Sequence, residues 1–86
     1  MEILLHKSFL RQFKKIPKPT RAKFVDRKNL FIKEPFNQLL NNHSVGKAYP
    51  GCRSLNVTGD YRAIFQEVSP ESVVFLYIGT HSELYG

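Results

Sequence analysis

An 86-residue chain with 42% hydrophobic and 23% charged residues has room for one domain, residues 1–86, around a modest core that buries roughly 60 to 65% of the unfolded surface. With no run of eighteen apolar residues, no charged-then-apolar leader and a single cysteine, Cys52, the expected protein is soluble, unprocessed and cytoplasmic, without an intramolecular disulfide or a multi-cysteine metal site. Eleven of the thirteen Lys and Arg residues precede Tyr49 against three acidic ones, so residues 1–48 carry +8 and residues 49–86 carry −2; this fits a nucleic-acid binder, a protein held by an acidic partner, or a solvated helix surface.

Glu2 to Lys7 reads as a first strand, and Ser8 is placed to cap a helix. Phe9, Leu10, Phe13 and Ile16 then recur as an amphipathic stripe, ended by Pro17 and Pro19. A second helix starts between Pro19 and Arg21 and runs to Lys33, with Ala22, Phe24, Val25, Phe31 and Ile32 as its apolar members and Glu34-Pro35 as its stop. The short link predicts a helical hairpin. From Phe36 to Gly51 the chain is rich in Asn, Gly and Pro, which makes a loop carrying His43, with one helical turn near Gln38 to Asn41.

Cys52 to Thr58 alternates as a half-buried strand, with Arg53, Leu55 and Val57 on one face and Ser54, Asn56 and Thr58 on the other. Gly59-Asp60 turns the chain into a returning strand, Tyr61 to Val68, and Ser69 to Ser72 turns it again. The apolar, β-branched run Val73 to Ile78 is a buried strand that continues toward His81. The fold class is therefore α+β, in the order β-α-α-β-β-β. A mainly antiparallel four-stranded sheet carries the helical hairpin on one face and leaves the other open to water or ligand. Parity places Asn56 on that open face; Arg62 shares parity with Ile64 and Val68, which a bulge near Asp60 would relieve.

The run from Gly51 to Phe65 (GCRSLNVTGDYRAIF), followed by Gly79-Thr80-His81-Ser82-Glu83-Leu84-Tyr85, resembles the RelE superfamily of bacterial toxins, with the YafQ-like branch closest. The likeness covers essentially the whole chain. It implies the toxin of a type II toxin-antitoxin pair, an endoribonuclease that cuts mRNA in the ribosomal A site without a metal or other cofactor. Implied partners are a cognate antitoxin, the ribosome with its rRNA, and mRNA, with a toxin-antitoxin hetero-oligomer among the assemblies and no membrane. Such cleavage needs a base for the ribose 2′-hydroxyl, an acid for the departing 5′-oxygen, and cations for the phosphorane. The pattern lays these roles on His43, Asp60, His81 and Tyr85, the two histidines forming the acid and base pair.

Where YafQ-like chains have another histidine, this one has Asn56. Its amide hydrogen-bonds but exchanges no proton near neutral pH; if the replaced group transfers a proton, the rate falls by about 10²-fold or more. Arg53 and Arg62 suit phosphate because guanidinium binds it bidentately, and Lys47 joins them as an RNA contact. Duller roles stand beside these: His6 as a structural histidine, Asp60 as a turn residue, and Tyr85 as an anchor for the tail instead of a stacking surface for a base. Two other functions share the scaffold, a ParE-like poison of DNA gyrase that cuts nothing and a weakened toxin that keeps its antitoxin.

Overall fold

The computed structural model describes every residue from Met1 to Gly86. The elements are β1 (Glu2–Leu5), α1 (Lys7–Phe13), α2 (Lys18–Lys33), a 3-10 turn at Gln38–Leu40, β2 (His43–Ser44), β3 (Arg53–Asn56), β4 (Tyr61–Ser69), β5 (Ser72–Thr80) and α3 (His81–Tyr85). They build one five-stranded sheet in the order β1-β5-β4-β3-β2, antiparallel throughout except that β1 runs parallel to β5. The fifth strand is β2, a two-residue pairing of His43 with Ser54 and Ser44 with Arg53 inside what reads from sequence as loop. No helix is long and apolar enough to cross a membrane.

The helices follow the apolar spacing, with corrections at their ends. His6, not Ser8, caps α1: its Nδ1 accepts from the Ser8 amide at 3.1 Å. The Ser8 hydroxyl instead donates to the Leu76 carbonyl at 2.7 Å. Beyond Leu5 the outer edge of β5 has no strand beside it, so α1 meets that edge with side chains, and Gln12 Oε1 accepts from the Ile78 amide at 2.9 Å. Pro17 precedes α2, where a missing N–H costs nothing, and Arg21 Nη1 donates to the Ile16 carbonyl at 2.9 Å to hold the link. Of the apolar members expected in α2, Phe24 and Phe31 point inward, whereas Ala22, Val25 and Ile32 are exposed.

Twelve buried residues form the core between helices and sheet. Phe75 is its hub, with ring centroids 5.3 to 6.1 Å from those of Phe9, Phe24, Phe31 and Phe65. Leu55, Ala63 and Ile78 pair across three strands and all face this core. Their neighbours Ser54, Ile64 and Tyr77 therefore share the opposite face. Ile64 thus points away from the helices, and Arg62 needs no bulge near Asp60 to join it there. The irregularity in this pair falls elsewhere, between Ile64 and Phe65 and between Glu67 and Ser69.

The second face is not open as expected. Ser54 and Ile64 are 1% and 0% exposed, because the 45–51 segment and α3 fold over them. The final strand stops at Thr80, and His81 begins a helix instead of ending a strand. Thr80 Oγ1 accepts from the Glu83 amide at 3.1 Å while Glu83 Oε1 accepts from the Thr80 amide at 2.7 Å, a reciprocal capping box. Gly79 permits the fold-back, since a Cβ there would lie 3.2 Å from Glu83 Oε1 and 3.5 Å from Leu84 Cδ2.

Candidate active site

Across the second face, one row runs His43, Ser54, Ile64, Tyr77 and the next runs Asn56, Arg62, Gly79. Tyr49 roofs the first row: its ring centroid lies 5.4 Å from that of Tyr77 and 5.8 Å from that of Tyr85, and its hydroxyl donates to the Leu84 carbonyl at 2.5 Å. Desolvation, then the neighbouring Tyr85 and Tyr77 hydroxyls, raises the Tyr49 pKa, so the phenol stays a donor. Beside this roof, Ser44, Val45, Gly46, Lys47, Ala48 and Tyr85 line a cleft of 620 Å³.

Two histidines adjoin residues that line that cleft. His43 immediately precedes its lining loop and is exposed. Asn41 sits in the left-handed region at φ 44°, a conformation that Asn tolerates better than most residues, and its carbonyl lies 2.7 Å from His43 Nδ1. A carbonyl only accepts, so Nδ1 carries the proton in this contact and a neutral ring keeps its lone pair on Nε2. His81 opens α3 on the other side, also exposed, with its ring centroid 4.8 Å from that of Tyr85. The His81 amide donates to the Asp60 carbonyl at 3.1 Å, which ties the β3–β4 turn to α3 and brings Asp60 and His81 together.

The basic residues separate by face. Arg62 bends over the β3–β4 turn, where Nη1 donates to the carbonyls of Thr58 and Tyr61 at 2.9 and 3.0 Å and Nη2 to that of Gly59 at 3.3 Å. Of the five N–H groups of a guanidinium, two remain for a ligand. Arg53 pairs with Ser44 and Phe65, so it lies on the helix side of the sheet, away from His43. There its Nε donates to Asn42 Oδ1 at 2.8 Å and its guanidinium carbon stands 5.6 Å from the Phe36 ring centroid. That geometry braces the loop before β2. Lys47 is exposed in the cleft wall. Asn56 is half-buried, and its Oδ1 has no hydrogen-bond partner.

Cys52 is buried, and burial pushes its thiol pKa up, which makes it a poor nucleophile. His6 is spent as a cap. No three His, Cys, Asp or Glu side chains gather to hold a metal ion. Sequence reasoning missed Tyr49 and Tyr77, which no motif marks, and the cap of α3, which the Thr80-His81-Ser82-Glu83 signature did mark.

Residues 3–85 match a protein-family model described as the ParE toxin of the type II toxin-antitoxin system parDE. No curated protein matches the sequence significantly. Among solved structures, YafQ from E. coli superposes with a TM-score of 0.81 at 21% identity over 99% of this chain and 98% of that one. A YoeB/ParE toxin from Agrobacterium tumefaciens gives 0.76 at 15% identity over 94% and 99%. The RelBE2 toxin-antitoxin complex from Mycobacterium tuberculosis gives 0.74 at 18% identity over 93% and 96%. At these identities the superpositions establish a shared fold.

Proposed function

The chain belongs to the ParE toxin family of type II toxin-antitoxin systems, and from that premise we propose that it is an endoribonuclease cutting mRNA in the ribosomal A site. One observation carries the reading: His43, with its tautomer fixed by Asn41, immediately precedes the loop that lines the cleft, and His81 packs on Tyr85, which lines it too. His43 Nε2 is the base that takes the 2′-hydroxyl proton. The 2′-oxygen then attacks phosphorus, the bond to the 5′-oxygen breaks, and His81 gives that oxygen a proton. The products are a 2′,3′-cyclic phosphate and a 5′-hydroxyl. Two free N–H groups of Arg62 and the Lys47 ammonium oppose the charge of the phosphorane. Tyr85 offers a base its ring face, and Asp60 holds the turn against α3. This chemistry uses no metal.

A YafQ structure has been solved with DinJ as a toxin-antitoxin complex, and a cognate antitoxin is proposed here on the same footing. Its segment, disordered alone, folds across the second face and covers Asn56, Asp60 and His81. The working compartment is the cytoplasm, where ribosomes and mRNA meet. A second reading, a ParE-like gyrase poison, is favoured by the description of the matching family and by Asn56 standing where a histidine is expected. Ribosome-dependent cleavage of a reporter mRNA, run beside a gyrase supercoiling assay, tests the two. Cleavage that disappears in His81→Ala supports the nuclease; inhibited supercoiling without cleavage overturns it.

A further inference from the structure

His43 has little of its own to hold it. β2 pairs only His43 with Ser54 and Ser44 with Arg53, the ring is exposed, and its one hydrogen bond is local, Nδ1 to the Asn41 carbonyl at 2.7 Å. That carbonyl belongs to the peptide group joining Asn41 to Asn42. Its aim is therefore set by ψ of Asn41, 48° in the left-handed region, and by φ of Asn42. Asn42 is gripped at both ends of its side chain and at its own carbonyl. Arg53 Nε donates to Oδ1 at 2.8 Å and Arg53 Nη2 to the main-chain oxygen at 3.4 Å, while Asn42 Nδ2 donates to the Pro35 carbonyl at 2.9 Å. The hydrogen bonds of Arg53 go to Asn42 and to no carboxylate, and its guanidinium carbon rests 5.6 Å from the Phe36 ring centroid.

We propose that Arg53 is a positioning residue for His43: by holding Asn42 it aims the Asn41 carbonyl at Nδ1, keeps the ring proton there and leaves the lone pair on Nε2. It acts from the helix side of the sheet, whereas His43 lies on the other, so its effect passes through the main chain. The tautomer of a histidine is set by the hydrogen bond that its other ring nitrogen makes. With the carbonyl turned away, the neutral ring divides its proton between the two nitrogens, and only some molecules keep a base at Nε2. Lysine cannot replace this arginine, because an ammonium is a point charge without the fork that reaches two oxygens of Asn42. Only the use of Nε2 as a base toward a 2′-hydroxyl rests on the endoribonuclease reading.

The test reads the tautomer directly. Full-length protein carrying isotope-labelled histidine, at about pH 8 where imidazole is neutral, reports which ring nitrogen holds the proton in a long-range proton–nitrogen NMR correlation. His43→Gln assigns the signals, and His6, whose Nδ1 accepts from the Ser8 amide, is the reference for the opposite tautomer. Wild type should show His43 with its proton on Nδ1. Arg53→Lys should move both ring nitrogens toward the average of the two tautomers, and its cleavage of reporter mRNA should fall about tenfold in kcat with KM unmoved. A folded Arg53→Lys that keeps the wild-type tautomer, whatever its melting midpoint, has lost only a structural contact and overturns the proposal, as does a wild-type ring with its proton on Nε2. If Arg53→Lys unfolds, Asn42→Ala, which removes the same grip without touching β3, decides by the same spectrum. If wild type cuts no reporter mRNA yet the tautomer shifts in Arg53→Lys, the endoribonuclease reading fails and the positioning stands.

Discussion

The two faces of the sheet are made by the same alternation but from different materials. The helix side buries five of the seven phenylalanines, Phe9, Phe24, Phe31, Phe65 and Phe75. The other side has three tyrosines, two exposed histidines and a five-residue helix. Phenylalanine contributes burial alone, whereas tyrosine brings a hydroxyl that must stay near water or find a partner. Folding energy is therefore concentrated on one face, and the exposed histidines sit on the face that contributes less of it.

The hardest blow to this division is Phe75→Ala. It removes the hub of the aromatic cluster and should cost about 3 to 5 kcal/mol, a large part of the 5 to 15 kcal/mol typical of a domain; urea denaturation measures it. A loss below about 1 kcal/mol would mean that the helix side is not where stability resides. His81→Ala should show the opposite profile. Cleavage falls by about 10²-fold or more, while stability moves by no more than about 0.5 kcal/mol because the ring is exposed. Equal toxicity at equal expression would remove His81 from the chemistry.

Gly79→Ala sits at the joint between the faces. Its new methyl meets Glu83 Oε1 at 3.2 Å, the same oxygen that caps α3, so the helix should loosen by about 1 kcal/mol. Hydrogen exchange of the α3 amides should quicken, and cleavage should fall by a larger factor than global stability predicts. Intact exchange protection would show that α3 yields without losing its cap.

Tyr49→Phe gives the smallest effect, no more than about 1 kcal/mol at neutral pH for the lost hydrogen bond to the Leu84 carbonyl, with a distinct signature in alkali. The folded pKa of Tyr49 is raised above its ordinary value of 10.0, so the folded state holds this proton more tightly than the unfolded one. That contribution is full below pH 10, and it is lost as pH rises through the folded pKa. Alkaline unfolding followed against pH should be less steep in the variant; an identical slope would mean that the roof does not desolvate the phenol.

Much of this division was legible in the sequence. Period 3.6 gave both long helices, and period 2 gave β3 and β4 with Leu55 and Val57 correctly turned inward. What escaped was whatever lacked a period. A two-residue strand at His43 has none, and a helix of five residues after an apolar run looks like more of the run. The closure of the second face depends on Tyr49 reaching Tyr77 and Leu84 across 28 and 35 residues of chain, a contact that no local pattern encodes. His43, His81 and Tyr85 were assigned site roles by resemblance, and the packing of His81 on Tyr85 was not readable from spacing.

The position of β5 sets a timetable. This strand lies between β1 and β4, α1 borrows its outer edge, and α3 grows from its end, yet it is among the last segments to be synthesised. β1 pairs from Glu2 with Ser72 to Leu5 with Phe75, so the first strand waits for almost the entire chain before it has a neighbour. Such long-range closure delays folding until late in synthesis. A nascent chain that still lacks β5 has neither a finished sheet nor an α3 to carry His81, so the fold is completed only once the last residues have been added.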